Sequence, residues 1–246
     1  MSPDLTLALE LADTADGISL GRFRARDLVV ETKPDLTPVT EADRAVEEAI
    51  RTRLASERPG DGMLGEEFGV SGGGGRRWIV DPIDGTRNYS RGIPVWATLI
   101  ALEEDGALRL GVVSAPALGR RWWAERGQGA FADGDPIHVS AVARVEDAVL
   151  SFALEQRPPA LAQRCWHPRA YGDFWAHMLV AEGAVDGAID AVGVTIWDLA
   201  AIQPIVEEAG GRFSDREGVA RADGGTAVSS NGLLHRALLE AITPQR

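Results

Sequence analysis

Between residues 78 and 140 the chain reads as one strand after another, and this run decides the fold class. Residues 98–102 and 108–113 are apolar stretches on either side of Glu103-Glu104-Asp105-Gly106, a hairpin signal. Arg121-Trp122-Trp123-Ala124 and Gly129-Ala130-Phe131 extend the pair into an antiparallel meander. Helix-patterned segments lie on both sides of it. Ser2-Pro3-Asp4 is a helix start, with Ser2 as N-cap and Pro3 at the first helical position. Leu5, Ala8, Leu9, Ala12 and Ala15 then share one face. A short strand at 28–30 and a loop at 33–38 lead to a second helix after Thr40. Its apolar positions are Ala42, Val46, Ala49, Ile50 and Leu54, and Arg58-Pro59-Gly60-Asp61-Gly62 ends it. Past residue 141 strands (149–152, 185–190, 227–229) alternate with helices (174–184, 197–209, 233–242), the helix at 197–209 closing on Gly210-Gly211. The expected class is layered α/β (α+β), with a soft boundary between an N-terminal half, 1–140, and a C-terminal half, 141–246.

The chain's overall balance narrows what such a fold could do. A net charge of −12 speaks against a broad nucleic-acid-binding surface and against attachment to anionic membranes. No apolar stretch approaches the roughly 20 residues that span a bilayer, and the amino terminus has no basic-then-apolar leader, so the expected compartment is the cytoplasm. The single Cys165 excludes an internal disulfide and a cysteine-based zinc site, and reads as a small buried hydrophobe. His138, His167, His177 and His235 show no paired ligand spacing and read as structural or exposed. Gly72-Gly73-Gly74-Gly75 is a surface loop.

The chemistry concentrates in acids. Trp78-Ile79-Val80 runs out into Asp81-Pro82-Ile83-Asp84-Gly85-Thr86, placing two carboxylates close together, where they repel unless a cation intervenes. Pro82 stiffens the link and could present the Ile83 carbonyl as a further oxygen ligand. Glu66 follows a short apolar stretch, Asp198 opens a helix, and Asp43 lies in the first turn of another. Each also has an ordinary explanation. Asp43 fits a capping box with Thr40, Asp198 is favoured by the helix dipole at about 0.3–1 kcal/mol, and Asp84-Gly85 is a common turn. Together they suit hard divalent cations, which take oxygen ligands and are often shared with substrate phosphates. Two metals about 3.5–4 Å apart clamp the attacking and leaving oxygens of phosphoryl transfer. Gly85 and Thr86 offer N–H groups and a hydroxyl to phosphate or to a nucleophilic water. No nucleotide P-loop is present. These residues point to a magnesium-dependent phosphate-ester hydrolase.

Gly65-Glu66-Glu67, Asp81-Pro82-Ile83-Asp84-Gly85-Thr86 and Trp197-Asp198-Leu199-Ala200-Ala201 resemble the signature blocks of the inositol-monophosphatase family, in the family's order. The resemblance implies an α/β/α/β/α sandwich, two to three Mg²⁺ ions and usually a homodimer. It implies Glu66, Asp81 and the Ile83 carbonyl at one metal and Asp81, Asp84 and Asp198 at another, with Glu66 serving a third, weaker one. It also implies that Thr86 and Asp43 orient the attacking water.

Within the family, Lys33-Pro34-Asp35-Leu36-Thr37-Pro38-Val39-Thr40, Pro94-Val95-Trp96-Ala97 and Arg169-Ala170-Tyr171-Gly172-Asp173-Phe174 resemble the subgroup that hydrolyses histidinol phosphate in histidine biosynthesis. A carboxylate at Asp173 could pair with that substrate's ammonium, the alternative being an N-cap for the helix expected at 174. Seven residues before Asp198 the family often carries a substrate-contacting glutamate. Here Ala191 stands there, preceded by Asp190, which could take over the contact. Arg169 is a candidate for phosphate or for a dimer contact. Tyr171 could face the substrate ring, and Trp96 reads as core. The expected partner is a small phosphorylated metabolite. Inositol 1-phosphate or another sugar or nucleotide phosphate is the alternative substrate, and a non-catalytic dimeric binding protein the alternative role.

Overall fold

Residues 78–140 form most of an eight-stranded sheet. The computed structural model describes residues 1–34, 36–152, 159–190 and 193–242. Helix α1 (Pro3–Arg22) leads through β1 (Val30–Thr32) and β2 (Pro38–Thr40) into α2 (Glu41–Glu57). Strands β3 (Gly62–Gly65), β4 (Gly69–Ser71) and β5 (Arg76–Asp84) precede the short helix α3 (Thr86–Ser90). The meander is β6 (Ala97–Glu104), β7 (Ala107–Ala115), β8 (Arg120–Glu125), β9 (Ala130–Ala132) and β10 (Asp135–Ile137). Then come β11 (Val149–Phe152), α4 (Pro159–Arg164), β12 (His167–Arg169), α5 (Asp173–Ala181) and β13 (Gly187–Asp190). The described chain closes with α6 (Ile196–Leu199), α7 (Ile202–Glu208), β14 (Arg212–Ser214), β15 (Ala227–Ser230) and α8 (His235–Ile242).

The large sheet has the order β10-β9-β8-β7-β6-β5-β3-β4, and a second, five-stranded sheet the order β12-β11-β13-β15-β14. Strand alternation explains the layering. Trp78 and Val80, Ile100 and Leu102, and Leu110 and Val112 point to one face, where they meet Leu5, Ala8, Leu11, Val46, Ile50 and Leu54 of α1 and α2. Ile79, Leu99, Ala101 and Val113 point to the other, against Phe174 and Met178 of α5 and Leu199, Ile202 and Ile205 of α6 and α7. Burial on both faces is why these strands read as continuous apolar runs. The second sheet packs its Leu150, Ile189 and Val228 on Leu161 of α4 and Leu238 of α8. The result is an α/β/α/β/α sandwich. The core on the inner face of the large sheet joins residues from both sides of position 140.

Several boundaries differ from the sequence reading for local reasons. The strand expected at 28–30 is β1, displaced to Val30–Thr32, and its residues are exposed. Leu28 packs beside Tyr89 and Trp96 instead, and β1 is held by its antiparallel ladder to β2. The helix expected at 197–209 begins one residue earlier and breaks after Leu199. Pro204, which has no N–H to give the Ala200 carbonyl, accounts for the interruption. The helix at 174–184 stops at Ala181, ahead of Gly183 with φ +74°. Strands β2, β3, β4, β12 and β14 and helices α3 and α4 are additions to that reading. Ser2 caps α1 as expected, accepting from the Leu5 N–H, and Trp96 and Cys165 are buried.

Candidate active site

The end of β5 builds the centre of the site. Asp81 pairs with Leu99 and Asp84 with Ala97, so β5 advances three residues while β6 advances two. In a regular strand, residues three apart face opposite sides of the sheet. The extra residue is a bulge, and it turns both carboxylates the same way. Asp198, at the start of α6, completes the group: Asp81, Asp84 and Asp198 each place a carboxylate oxygen within 4.8 Å of the others.

Backbone N–H groups hold these acids in place. Asp81 Oδ1 accepts from Ile83 N at 2.9 Å, and Asp84 Oδ2 from Phe174 N, at the start of α5, at 2.6 Å. Asp198 Oδ2 accepts from Thr195 N at 2.5 Å and from the Thr195 hydroxyl at 2.9 Å, closing a capping box. Asp43 does the same on α2, its Oδ2 accepting from Thr40 N at 2.8 Å and from the Thr40 hydroxyl at 2.5 Å. Its Oδ1 turns to the Thr86 hydroxyl at 3.2 Å. Asp43 thus caps α2 with one oxygen and reaches Thr86 with the other, and Asp198 caps α6 while standing in the acid cluster.

Burial and mutual repulsion raise the proton affinity of the cluster. Burial, followed by the charges of Glu66, Asp84 and Asp198, pushes the Asp81 carboxyl well above its usual range. Burial and then Asp173 and Asp198 do so for Asp84, and burial raises Asp198 and Glu66. Asp43 is pushed up to about 6, chiefly by burial. Like charges packed this way call for a cation. The donor set is wholly oxygen, which suits a hard ion such as Mg²⁺. The Ile83 carbonyl accepts from the Thr86 hydroxyl at 2.9 Å and retains a lone pair for a further partner. Glu66 stands just past β3 and is ion-paired with Lys33 at 2.7 Å; the same ammonium meets Glu67 at 2.6 Å. Gly85, with φ +83°, makes the turn between the acids and α3. A Cβ there would lie 3.0 Å from the Val95 carbonyl and 3.2 Å from Asp173 Oδ2, so the position suits glycine alone.

A cavity of about 650 Å³ opens from Asp84 and Asp198 toward Asp173 and Asp190, with Arg87, Tyr171 and Trp175 also on its walls. Asp173 is not the N-cap considered for α5. The cap is Gly172, and Asp173 lies inside the helix start with φ +55°, a strained conformation for a residue with a side chain. Its Oδ2 accepts from Asn88 Nδ2 at 3.1 Å. Burial, then Asp190 and Asp198, push its carboxyl up to about 6. Asp190 accepts from His177 Nε2 at 2.9 Å. Arg169, on β12, is not among the residues lining this cavity; Arg87 is. Ala191 lies outside the described residues. Sequence reasoning gave no role to Lys33, Arg87, Asn88 or His177. Lys33 stands within a motif already noted and Asn88 two residues past another, whereas a lone histidine inside a helix carries no spacing signal.

Residues 1–245 match the inositol monophosphatase family. A histidinol-phosphatase from Mycobacterium tuberculosis is 57% identical, the match covering 96% of each chain. One from Streptomyces coelicolor is 50% identical, over 96% of this chain and 95% of its own. Among solved structures, the extragenic suppressor protein suhB from Bartonella henselae superposes with a TM-score of 0.93 at 30% identity, covering both chains completely. With fold, acid constellation and full-length similarity in agreement, the chain belongs to the inositol monophosphatase family.

Proposed function

We propose that this protein is a magnesium-dependent phosphomonoesterase that hydrolyses L-histidinol phosphate to L-histidinol and phosphate, in histidine biosynthesis. The carrying observation is the cavity that joins the Asp81–Asp84–Asp198 cluster to a second anionic wall at Asp173 and Asp190. A substrate with a phosphate at one end and an ammonium at the other matches that layout. Inositol phosphate, which has no cation, leaves the second wall unpaired, at a cost for buried charge. The relatives named histidinol-phosphatase support the same substrate.

Asp81, Asp84, Asp198, Glu66 and the Ile83 carbonyl would hold two to three Mg²⁺ ions. When bound, magnesium supplies Lewis-acid stabilisation of phosphoryl oxygens and a more acidic water. The protein's own groups do the positioning. The Thr86 hydroxyl donates to Asp43 or to the Ile83 carbonyl, which leaves its lone pairs for the hydrogen of an attacking water. Asp43, fixed by its cap, keeps that hydroxyl oriented. Gly85 is the N-cap of α3, which Thr86 begins, and the first N–H groups of a helix, having no intrahelical acceptor, would be available to the transferring phosphoryl group. The working unit is a homodimer in the cytoplasm.

The test is phosphate release from histidinol phosphate and from myo-inositol 1-phosphate, each with magnesium and with chelator. Magnesium-dependent preference for histidinol phosphate is expected. Equal or better turnover of the inositol ester would assign the other substrate, and turnover unaffected by chelator would remove the metal from the mechanism.

A further inference from the structure

His177 belongs to none of the metal-facing groups, yet it is a fully enclosed polar side chain, 1% exposed, on the wall of the active-site cavity. It bridges three elements. From α5, its Nδ1 meets Ser229 Oγ of β15 at 2.7 Å, and its Nε2 meets Asp190 Oδ2 at the end of β13 at 2.9 Å. A carboxylate only accepts, so Nε2 carries the hydrogen. Ser229 holds the opposite edge of the ring, which therefore cannot turn without breaking both bonds. The bridge holds the Asp190 carboxylate on the cavity wall, and its side chain is 13% exposed. Asp173, on the same wall, is held by Asn88 and by the turn that begins α5.

Folding alone gives no reason for this arrangement. Two carboxylates on one cavity wall repel, and among the described residues lining that cavity the basic side chains are Arg87, which is exposed, and His177, whose two ring nitrogens are already engaged by Ser229 and Asp190. An arrangement that costs stability and lines a cavity is suited to a ligand bearing positive charge. Resting on the proposed reading of this site, we infer that Asp173 and Asp190 together accept the ammonium end of the substrate, and that His177, backed by Ser229, is the positioning residue that keeps Asp190 in place. Selectivity for amino-bearing phosphate esters then depends on a buried histidine that touches neither phosphate nor metal.

The magnesium-loaded full chain is assayed on two small esters, O-phosphoethanolamine, which ends in an ammonium, and glycerol 2-phosphate, which ends in hydroxyls. The readout is the ratio of their kcat/KM values. In His177→Phe and in Asp190→Asn that ratio is expected to fall at least about tenfold, through KM for the amino ester. His177→Gln, which can still offer an N–H to Asp190, should recover part of the loss. Thermal unfolding checks the buried substitutions; if His177→Phe does not fold, Asp190→Asn and His177→Gln carry the test. A ratio unchanged in Asp190→Asn, or equal losses on both esters in the His177 variants, overturns the inference. Histidinol phosphate forms a separate arm. Failure of the wild type on it, with the ratio still shifted in the variants, would remove the proposed substrate and leave the role of His177 standing.

Discussion

Asp84 meets several demands at once. It ends β5, its Oδ2 takes the Phe174 N–H, and it shares its surroundings with the carboxylates of Asp81 and Asp198. Asp84→Asn keeps an oxygen for Phe174 and removes one charge. Turnover at saturating magnesium should drop by more than the roughly 10–100-fold that losing a mere supporting partner of a metal ligand costs. In chelator the same variant should unfold at a temperature equal to or above the wild type, because a buried, repelled charge has gone. A lower melting temperature in chelator would show that Asp84 is structural, and phosphate release with thermal unfolding measures both. Asp43 and Asp198 illustrate what a sequence can say about such residues. Capping and the helix dipole are sufficient local reasons for an acid at either position, and both acids do cap. A carboxylate has two oxygens, so the cap left the second one unaccounted for. Only their assembly beside Asp81 and Thr86, through contacts far apart in sequence, gives that oxygen a purpose.

Elements decide how those residues converge. The bulge in β5 was not readable as such, although Pro82 between Asp81 and Ile83 marked an irregular strand. The long strands β6 and β7 were legible because burial on both faces demands unbroken apolar runs. Strands of three or four residues such as β3, β12 and β14 are too short to show a period, and tertiary pairing alone defines them. The junction of α6 and α7 presses on β7 so closely that a Cβ at Gly111 would lie 2.1 Å from the Ala201 carbonyl oxygen. Gly111→Ala should therefore cost about 1–3 kcal/mol of stability. It should also displace α6 and with it Asp198, raising the magnesium concentration for half-maximal activity although no ligand is altered. Urea unfolding and a magnesium titration measure the two effects; wild-type values in both would show that the junction yields freely.

For the whole molecule, the acids make stability depend on pH in a direction opposite to that of an ordinary paired carboxylate. Asp43 and Asp173 both stand at about 6 in the fold against an ordinary 3.8. Below about pH 4 the folded and unfolded chains are both protonated there, and the stabilisation these groups give is fully present. As pH rises toward 6 the unfolded chain releases protons that the fold still holds, so stability falls. The loss is complete above the folded values and amounts to about 3 kcal/mol per group at most. In chelator, the melting temperature should be lower at about pH 7.5 than at about pH 5, and magnesium should shrink the difference by binding the folded state. Calorimetry at both pH values, with and without the cation, measures this; a higher melting temperature at the higher pH in chelator would contradict it. The site also crosses the midpoint of the chain, since Asp84 is tied to Phe174 and Asp198 comes from beyond residue 141. Neither half holds the centre by itself. Because Asp43, Asp81, Asp84 and Asp198 are each moored to a backbone N–H, folding sets the acids before any cation arrives. Capture of the cation then requires little ordering of the chain, and its pace falls to the ion shedding its water. A longer side chain of the same charge would slip its mooring, so the fold has made aspartate, and not acidity alone, the requirement.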